Sequence, residues 1–125
     1  MRIRLWLFPV VLAMAAQKDL PPDIVRDPLR PVLEVDPIHY KLDLENDRVR
    51  VLHARLGPGE AVPMHDDRSS MIVAITEVHI RLSKPGARPF DVHMHAGESR
   101  WGYADMHSIK NLYTKPVEYL SIQLK

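Results

Sequence analysis

The feature that most constrains the fold of this chain is the spacing of its apolar runs after Pro37. Short segments alternate apolar and polar residues, and turn-forming residues interrupt them about every eight to twelve residues. No segment carries a 3.6-residue apolar stripe over two helical turns. The pattern therefore predicts an all-β domain, a single antiparallel β-barrel or jelly roll. The predicted strands cover residues 38–44, 48–56, 62–65, 71–75, 78–82, 90–95, 99–103, 107–112 and 117–124.

One predicted strand differs from the others in its pattern. Residues 71–75 form a continuous apolar run of strand length, which predicts a strand covered on both faces. The polar residues 66–70 before it predict a loop.

The first 16 residues have the composition of a secretory signal peptide. Arg2 and Arg4 form a basic start, residues 5–16 are apolar, and residues 13–15 have the small-x-small form of a processing site. A membrane-spanning helix needs about 20 apolar residues, so a permanent anchor is the less favoured interpretation, as is a buried N-terminal helix. We therefore expect a periplasmic or secreted protein with no stable membrane anchor after cleavage.

A proline-rich arm is predicted at residues 17–37, before a folded domain at residues 38–125. Five prolines interrupt any helical or ladder pattern there. The arm is either a mobile linker or a segment packed along an edge of the domain, where residues 32–35 could pair as an edge strand. The prolines are Pro21, Pro22, Pro28, Pro31 and Pro37.

Charge and composition exclude several classes of protein. The chain has 17 basic and 16 acidic residues, and removal of Arg2 and Arg4 with the signal peptide leaves 15 basic residues and a net charge of −1. No basic stripe is left to bind nucleic acid. The absence of cysteine excludes disulfides, thiolate metal ligands and a cysteine nucleophile. Phosphate-binding glycine loops, the G-x-S-x-G elbow and H-E-x-x-H are absent as well.

The first candidate ligands lie in residues 56–67. A Gly-Pro-Gly turn at residues 57–59 leads into a short extended segment that carries His65 and Asp67. Alternate residues of an extended chain point to one face, so an imidazole and a carboxylate project side by side. This is half of a metal site. A bulge within residues 66–70 would put Asp66 on this face in place of Asp67, and the sequence leaves that choice open.

Two short motifs resemble those of the cupin superfamily, in particular small single-domain bacterial cupins of the RmlC-like type. The first family motif, G-x5-H-x-H-x3/4-E-x6-G, is matched at Gly59 and His65, with Asp67 in the place of the second histidine and without the glutamate or the last glycine. The second, G-x5-P-x-G-x-H-x3-N, is matched in a form one residue shorter. Its matching residues are Gly97, His107 and Asn111.

The resemblance covers residues 37–125 and implies a small β-barrel whose mouth can hold a divalent metal. It implies His65, Asp67 and His107 as ligands of Fe, Mn, Ni or Zn. Two histidines and one carboxylate suit Fe(II) and leave open coordination positions. The alternative is a barrel that has lost its metal, in which the two histidines are hydrogen-bonded polar residues.

Four further residues are expected near this site. Ser70 and Tyr103 are candidates to support the ligands, and Trp101 either lines the mouth of the barrel or belongs to the core. Asn111 is expected to fix the turn after His107 rather than to contact a ligand. His93 and His95 share a strand face and could chelate a metal, but surface histidines are the favoured interpretation.

Three functions remain open at this point. The first is a small-molecule binding or sensing module, with or without a metal. The second is a metal-dependent enzyme of the dioxygenase or isomerase type that uses His65, Asp67 and His107. The third is a structural or partner-binding barrel, which could be a homodimer.

Overall fold

The computed structural model describes residues 30–125, and this part of the chain contains nine β-strands and one short helix. The predicted signal peptide and residues 17–29 of the predicted arm lie outside the described residues. The helix, α1, spans Val32–Val35. The strands are β1 (Tyr40–Glu45), β2 (Val49–Leu56), β3 (Ala61–Asp67), β4 (Ser70–Ala74), β5 (Val78–Ser83), β6 (Phe90–Met94), β7 (Ser99–Gly102), β8 (Asp105–Asn111) and β9 (Val117–Leu124).

The nine strands form two antiparallel sheets. One sheet has five strands in the order β1-β2-β9-β4-β7, and the other has four in the order β3-β8-β5-β6. The chain passes repeatedly from one sheet to the other, and the inner faces of both sheets contribute to one core, as in a jelly roll. The two sheets do not close into a continuous barrel. The predicted all-β jelly-roll architecture is confirmed.

Alternation along the strands builds the core between the sheets. In β9 every second residue from Val117 to Gln123 is buried, and the residues between them are more exposed. Each fully buried large aliphatic side chain contributes about 1.5–3 kcal/mol to the free energy of unfolding. The buried apolar residues are Val32, Tyr40, Leu52, Ala54, Leu56, Val62, Ala74, Val78, Ile80, Met94, Ile109, Val117 and Tyr119.

The predicted turn at residues 57–59 positions the start of β3. Gly59 has a φ of 75°, which favours glycine, and its N–H donates to the Asn111 carbonyl oxygen at 3.2 Å. The turn is therefore attached to the end of β8, the strand that pairs with β3.

The prediction that residues 71–75 are covered on both faces is wrong. Ser70 and Ala74 of β4 are buried, but Met71 and Ile75 are 38% and 42% exposed. Met71 pairs with Ile122 of β9 on the outer face of the five-stranded sheet. The apolar run on that face is explained by contacts between neighbouring strands of the same sheet, and not by a covering layer.

Residues 32–35 form a helical turn and not the predicted edge strand. The Pro31 carbonyl oxygen accepts hydrogen bonds from Glu34 N at 3.0 Å and Val35 N at 3.2 Å. Proline suits this position because its φ is already helical and its missing N–H has no partner at a helix start. The turn buries Val32 in the core. Within residues 30–125, no helix has the length and apolar character needed to cross a membrane.

Candidate metal centre

A bulge in β3 turns His65 toward the core. Between Val62 and His65, three steps along β3 match only two along β8, so the pairing accommodates one extra residue. Without it, Met64 would share the inner face with Val62, because alternate residues share a face. The ladder is interrupted next to Pro63, which has no N–H to donate. As a result His65 is 2% exposed, whereas Met64 is 40% exposed.

The three predicted ligands come together at this point. His107 of β8 lies directly opposite His65, and the centroids of the two rings are 4.8 Å apart. Asp67 follows on the same face, with its Oδ2 3.6 Å from His107 Nε2. One ligand atom from each of the three residues lies within 4.8 Å of the others.

The interior carboxylate is that of Asp67 and not that of Asp66. Asp66 lies on the opposite face, where its backbone N–H donates to the Arg30 carbonyl oxygen at 2.8 Å and its Oδ2 accepts from Arg30 N at 2.9 Å. Strand β3 continues through Asp67, so the predicted loop at residues 66–70 is reduced to Arg68 and Ser69.

Both histidines already use Nδ1 in a hydrogen bond. His65 Nδ1 donates to the Pro63 carbonyl oxygen at 2.8 Å, and His107 Nδ1 lies 2.6 Å from Asp105 Oδ1. Burial acts to raise the pKa of Asp105, but Lys84 and His107 outweigh it and lower that pKa. The carboxylate is therefore an acceptor, and the His107 proton belongs on Nδ1. Each ring is left with a lone pair on Nε2.

The two Nε2 atoms are buried and have no hydrogen-bond partner among the described residues. A buried polar atom without a partner costs about 1–3 kcal/mol, so a pair of them side by side points to an additional ligand. Histidines that bind metals typically donate their other ring N–H to a carboxylate or a carbonyl, as both do here. The 3.6 Å between His107 Nε2 and Asp67 Oδ2 is close to the spacing of neighbouring ligands around an ion bonded at about 2.0–2.2 Å. These residues fit a divalent metal ion.

Gln123 holds the candidate carboxylate ligand. Its Nε2 donates to Asp67 Oδ1 at 3.1 Å, which leaves Oδ2 on the side of His107. Burial raises the pKa of Asp67 above its usual 3.8, although His107, His65 and the Gln123 hydrogen bond act in the opposite direction. Gln123 was not among the predicted site residues. The signal that could have found it is its place on the buried side of β9.

Metal binding is expected to weaken on acidification. Burial lowers the pKa of His65 below its usual 6.5, so the imidazole is neutral at pH 7 and takes up its proton only below pH 6.5. The raised pKa of Asp67 moves its protonation toward the same interval. Because metals bind the deprotonated ligands, affinity measured by titration calorimetry should fall as the pH is lowered below 6.5. An affinity that stays constant from pH 7 down to the pH at which the protein unfolds would contradict the ligand assignment.

Replacement of Asp105 with asparagine is expected to lower metal affinity about 10- to 100-fold, because His107 loses the anionic acceptor that fixes its tautomer. Lys84→Met is the matched control. It removes the ion pair between Lys84 and Asp105 but leaves the contact of Asp105 with His107 intact. Metal titration of both variants should show near wild-type affinity for the control. Equal losses in the two variants would show that metal affinity depends on the ion pair between Lys84 and Asp105 and not on the contact of Asp105 with His107.

A cavity of about 270 Å³ adjoins the candidate ligands. Asp67 and His107 form part of its wall, together with the buried Ser70, and Tyr103 lies at its margin with 79% exposure. Most of the remaining wall is apolar, as is usual for a small-molecule site. The apolar wall residues include Ile72, Val78, Ile80, Leu82, Val92, Met94 and Ile109.

Comparison with known proteins agrees with this architecture. No family model and no curated protein matches the sequence. A cupin domain from Bordetella pertussis Tohama I superposes with a TM-score of 0.64 at 20% identity, over 69% of this chain and 91% of that chain. The chain has the cupin fold. An RmlC-like cupin from Methanocaldococcus jannaschii gives 0.56 at 15% identity, over 68% and 77%. A cupin superfamily protein from Desulfitobacterium hafniense DCB-2 gives 0.52 at 15% identity, over 68% and 74%.

Within this cupin fold, Trp101 lies at the edge of the cavity and not in the core. It is 38% exposed and borders the cavity. In the register of the five-stranded sheet it pairs with Met71, on the face opposite to that of Ser70. Trp101 therefore contributes to the rim of the cavity.

Asn111 is a structural residue and lies outside the cavity wall. Its Nδ2 donates to the carbonyl oxygens of Leu56, Gly57 and Lys115 at 3.1, 3.0 and 3.0 Å. Its Oδ1 accepts from Tyr113 N at 2.7 Å. These contacts connect the ends of β2 and β8 with the turn before β9, which is the turn-fixing role favoured by the sequence over ligand contact.

Two buried tyrosines border the cavity without having been predicted there. The hydroxyl groups of Tyr40 and Tyr119 are hydrogen-bonded to each other, and the Tyr40 ring centroid lies 6.2 Å from that of His65. Burial raises the pKa of both, so the hydroxyls remain protonated at neutral pH. They provide neutral hydrogen-bonding groups next to the candidate ligands. Alternation predicts their burial, but no local pattern indicates their position at the site.

Proposed function

We propose that this protein binds one divalent metal ion through His65, Asp67 and His107, and a small organic molecule in the adjoining cavity. The observation that carries the proposal is the pair of buried, unpartnered Nε2 atoms facing a carboxylate. The His-Asp-His donor set suits Fe, Mn, Ni or Zn and fills only part of a coordination sphere. When bound, the ion supplies a Lewis acid that can polarise an oxygen atom of the organic molecule.

The walls of the cavity support a small molecule with one acidic end. The apolar side chains match a hydrocarbon portion, and three basic side chains border the same space: those of Arg68, Lys84 and Arg100. The acidic groups there are Asp67, which is proposed to bind the metal, and Asp105, which is paired with Lys84 and His107. A carboxylate could therefore be accommodated at the ion or at the basic margin.

The metal part of the proposal is tested by titrating the chelator-treated full chain with Mn(II) and Zn(II). We expect one equivalent to be lost in His107→Ala and retained in His53→Ala. His53 is the matched control because it is also flanked by carboxylates, those of Asp43 and Glu118, but on a different face of the protein. Identical titrations of the two variants would overturn the assignment.

The ligand part is tested with benzoate as the probe and Co(II) as the ion. Addition of benzoate to the Co(II)-loaded protein should change the visible absorption spectrum of the ion. Leu82→Phe, which fills part of the cavity, should prevent that change without preventing Co(II) binding. Leu120→Phe places the same group on β9 outside the cavity wall and should respond as the wild type does. An unchanged spectrum in the wild type would count against a ligand site at the metal.

A metal-dependent enzyme of the dioxygenase or isomerase type is the second candidate. It is favoured by the fact that Asp67 and His107 line the cavity themselves, so that open coordination positions would adjoin a bound organic molecule. Tyr40 and Tyr119 could hold that molecule through their neutral hydroxyls. Oxygen uptake by the Fe(II)-loaded protein with a panel of small organic acids tests the dioxygenase form. Uptake that persists in Asp67→Asn would assign it to free iron.

Export to the periplasm or the medium is proposed on the basic start, the apolar run and the Ala-Met-Ala sequence within residues 1–16. Expression of the full chain in a bacterial host, followed by fractionation and mass spectrometry, tests it. A mature chain that begins near residue 17 in the exported fraction is expected, and an uncleaved cytoplasmic chain would contradict it.

A further inference from the structure

A second group of histidines lies on the outer face of the four-stranded sheet. His79 of β5 pairs directly with His93 of β6, and their rings are parallel within 2° with centroids 5.1 Å apart. His95 follows on the same face, with its ring centroid 5.8 Å from that of His93. The side chains of His93 and His95 are 64% and 73% exposed. The predicted surface position of these two histidines is confirmed.

Glu77 connects His93 and His95. Its Oε1 accepts from His95 Nδ1 at 2.6 Å, and its Oε2 lies 3.5 Å from His93 Nε2. That Oε2 atom is buried and has no hydrogen-bond partner among the described residues. The 3.5 Å separation nearly equals the 3.6 Å between Asp67 and His107 in the interior centre. In the interior centre the imidazole nitrogens lack hydrogen-bond partners, whereas here it is a carboxylate oxygen, which lies at ion-pair distance from the His93 imidazole. A carboxylate oxygen and an imidazole nitrogen at this separation can bind the same ion.

Among the other charged groups near this face, Glu98 adds a negative charge beside His95 and acts to raise its pKa, whereas Asp91 does not compete for these ligands. Asp91 is held by Arg81, with Oδ1 2.9 Å from Arg81 Nε and Oδ2 3.4 Å from Nη2. His79 Nε2 is 4.0 Å from the same carboxylate, and its ring stacks on His93 and restricts the plane of that ring. Glu77, His93 and His95 are therefore left as a separate donor set.

We propose that Glu77, His93 and His95 form a second metal site, on the outer surface of the protein. It would take a borderline divalent ion, Cu(II), Ni(II) or Zn(II), because imidazole nitrogens predominate in the donor set. The ring centroids of His93 and His95 are 1.0 Å farther apart than those of His65 and His107. The His95 side chain is exposed and can close that gap by rotating, in which case the ion replaces its hydrogen bond to Glu77. The ion would stand in open solvent, apart from the cavity.

Titration of the chelator-treated full chain with Cu(II), followed by electron paramagnetic resonance, tests the second site. The wild type should bind two equivalents, one at the interior centre and one at the outer site. His93→Ala should lose the outer equivalent and His107→Ala the interior one, and His53→Ala should still bind two. Glu77→Gln should lower the affinity of the outer equivalent at least tenfold, because a neutral amide replaces the charged ligand. The spectrum of His107→Ala, which should retain only the ion of the outer site, should show coupling to two imidazole nitrogens.

The outcomes separate this proposal from that for the interior centre. If the interior centre holds no ion, the wild type binds one equivalent and His93→Ala none, and the outer site stands. If His93→Ala and Glu77→Gln both titrate as the wild type does, the outer site is overturned, whatever His107→Ala shows. Circular dichroism of the variants provides the folding control, and no change is expected because His93 is exposed.

Discussion

Replacement of Asp67 with asparagine is expected to lower the affinity for a divalent ion by about 100-fold or more, without unfolding the protein. The amide keeps the shape of the side chain, and its oxygen can still accept the hydrogen bond of Gln123. What is lost is the only carboxylate among the three interior candidate ligands. Changes around a metal ligand alone cost 10- to 100-fold in affinity, so loss of the anionic ligand itself should cost more.

Two measurements make the Asp67→Asn result decisive. Thermal unfolding without metal should be close to that of the wild type, or higher, because a buried carboxylate with a raised pKa is replaced by a neutral group. Asp66→Asn is the matched control, since its side chain lies on the other face against Arg30. Its metal titration should be unchanged. Wild-type affinity in Asp67→Asn would remove this residue from the site.

Asn111→Asp is expected to destabilise the protein by about 3 kcal/mol or more, the largest loss of stability that we predict. The carboxylate has no N–H with which to satisfy the carbonyl oxygens of Leu56, Gly57 and Lys115. Each buried acceptor left without a partner costs about 1–3 kcal/mol, and the new charge faces three oxygen atoms. For a domain of this size the melting temperature should fall by roughly 12–24 °C.

Asn46→Asp is the matched control for Asn111→Asp. The Asn46 Oδ1 atom only accepts, from Arg48 N at 2.8 Å and Val49 N at 2.9 Å, and a carboxylate oxygen can accept both bonds equally well. Differential scanning calorimetry should therefore show a small change for Asn46→Asp and a large one for Asn111→Asp. Similar changes would mean that the three carbonyl contacts of Asn111 contribute little to stability.

The strand positions were predictable from the alternation of apolar and polar residues, although in β1 only Tyr40 is buried and the alternating Leu42 and Leu44 are exposed. Two other features depended on tertiary context. From Tyr40 to Leu124, the apolar period and the turn residues correspond closely to the nine observed strands. The exposure of residues 71–75 could not be predicted in the same way, because the sequence does not distinguish an apolar residue on an uncovered sheet face from one in the core. Residues 32–35 became helical because Pro31 starts a turn that buries Val32, a contact that no local pattern reveals.

The three candidate ligands could be predicted from the sequence, but the features that orient them could not. Resemblance and alternation together indicated His65, Asp67 and His107. The bulge next to Pro63 decides which residues of β3 face inward, and its position depends on the pairing with β8. Gln123 is 56 residues away from Asp67 in sequence, so only the fold brings their side chains together.

The central claim, an ion held by two Nε2 atoms and one carboxylate, is tested most directly by anomalous diffraction. Crystals of the full chain grown with Mn(II) or Zn(II) should show an anomalous peak bonded to Nε2 of His65, Nε2 of His107 and Oδ2 of Asp67. The Nδ1 atoms should keep their hydrogen bonds to Pro63 and Asp105. A map with no peak at this position, or with the ion bound through Nδ1, would contradict the proposed metal centre.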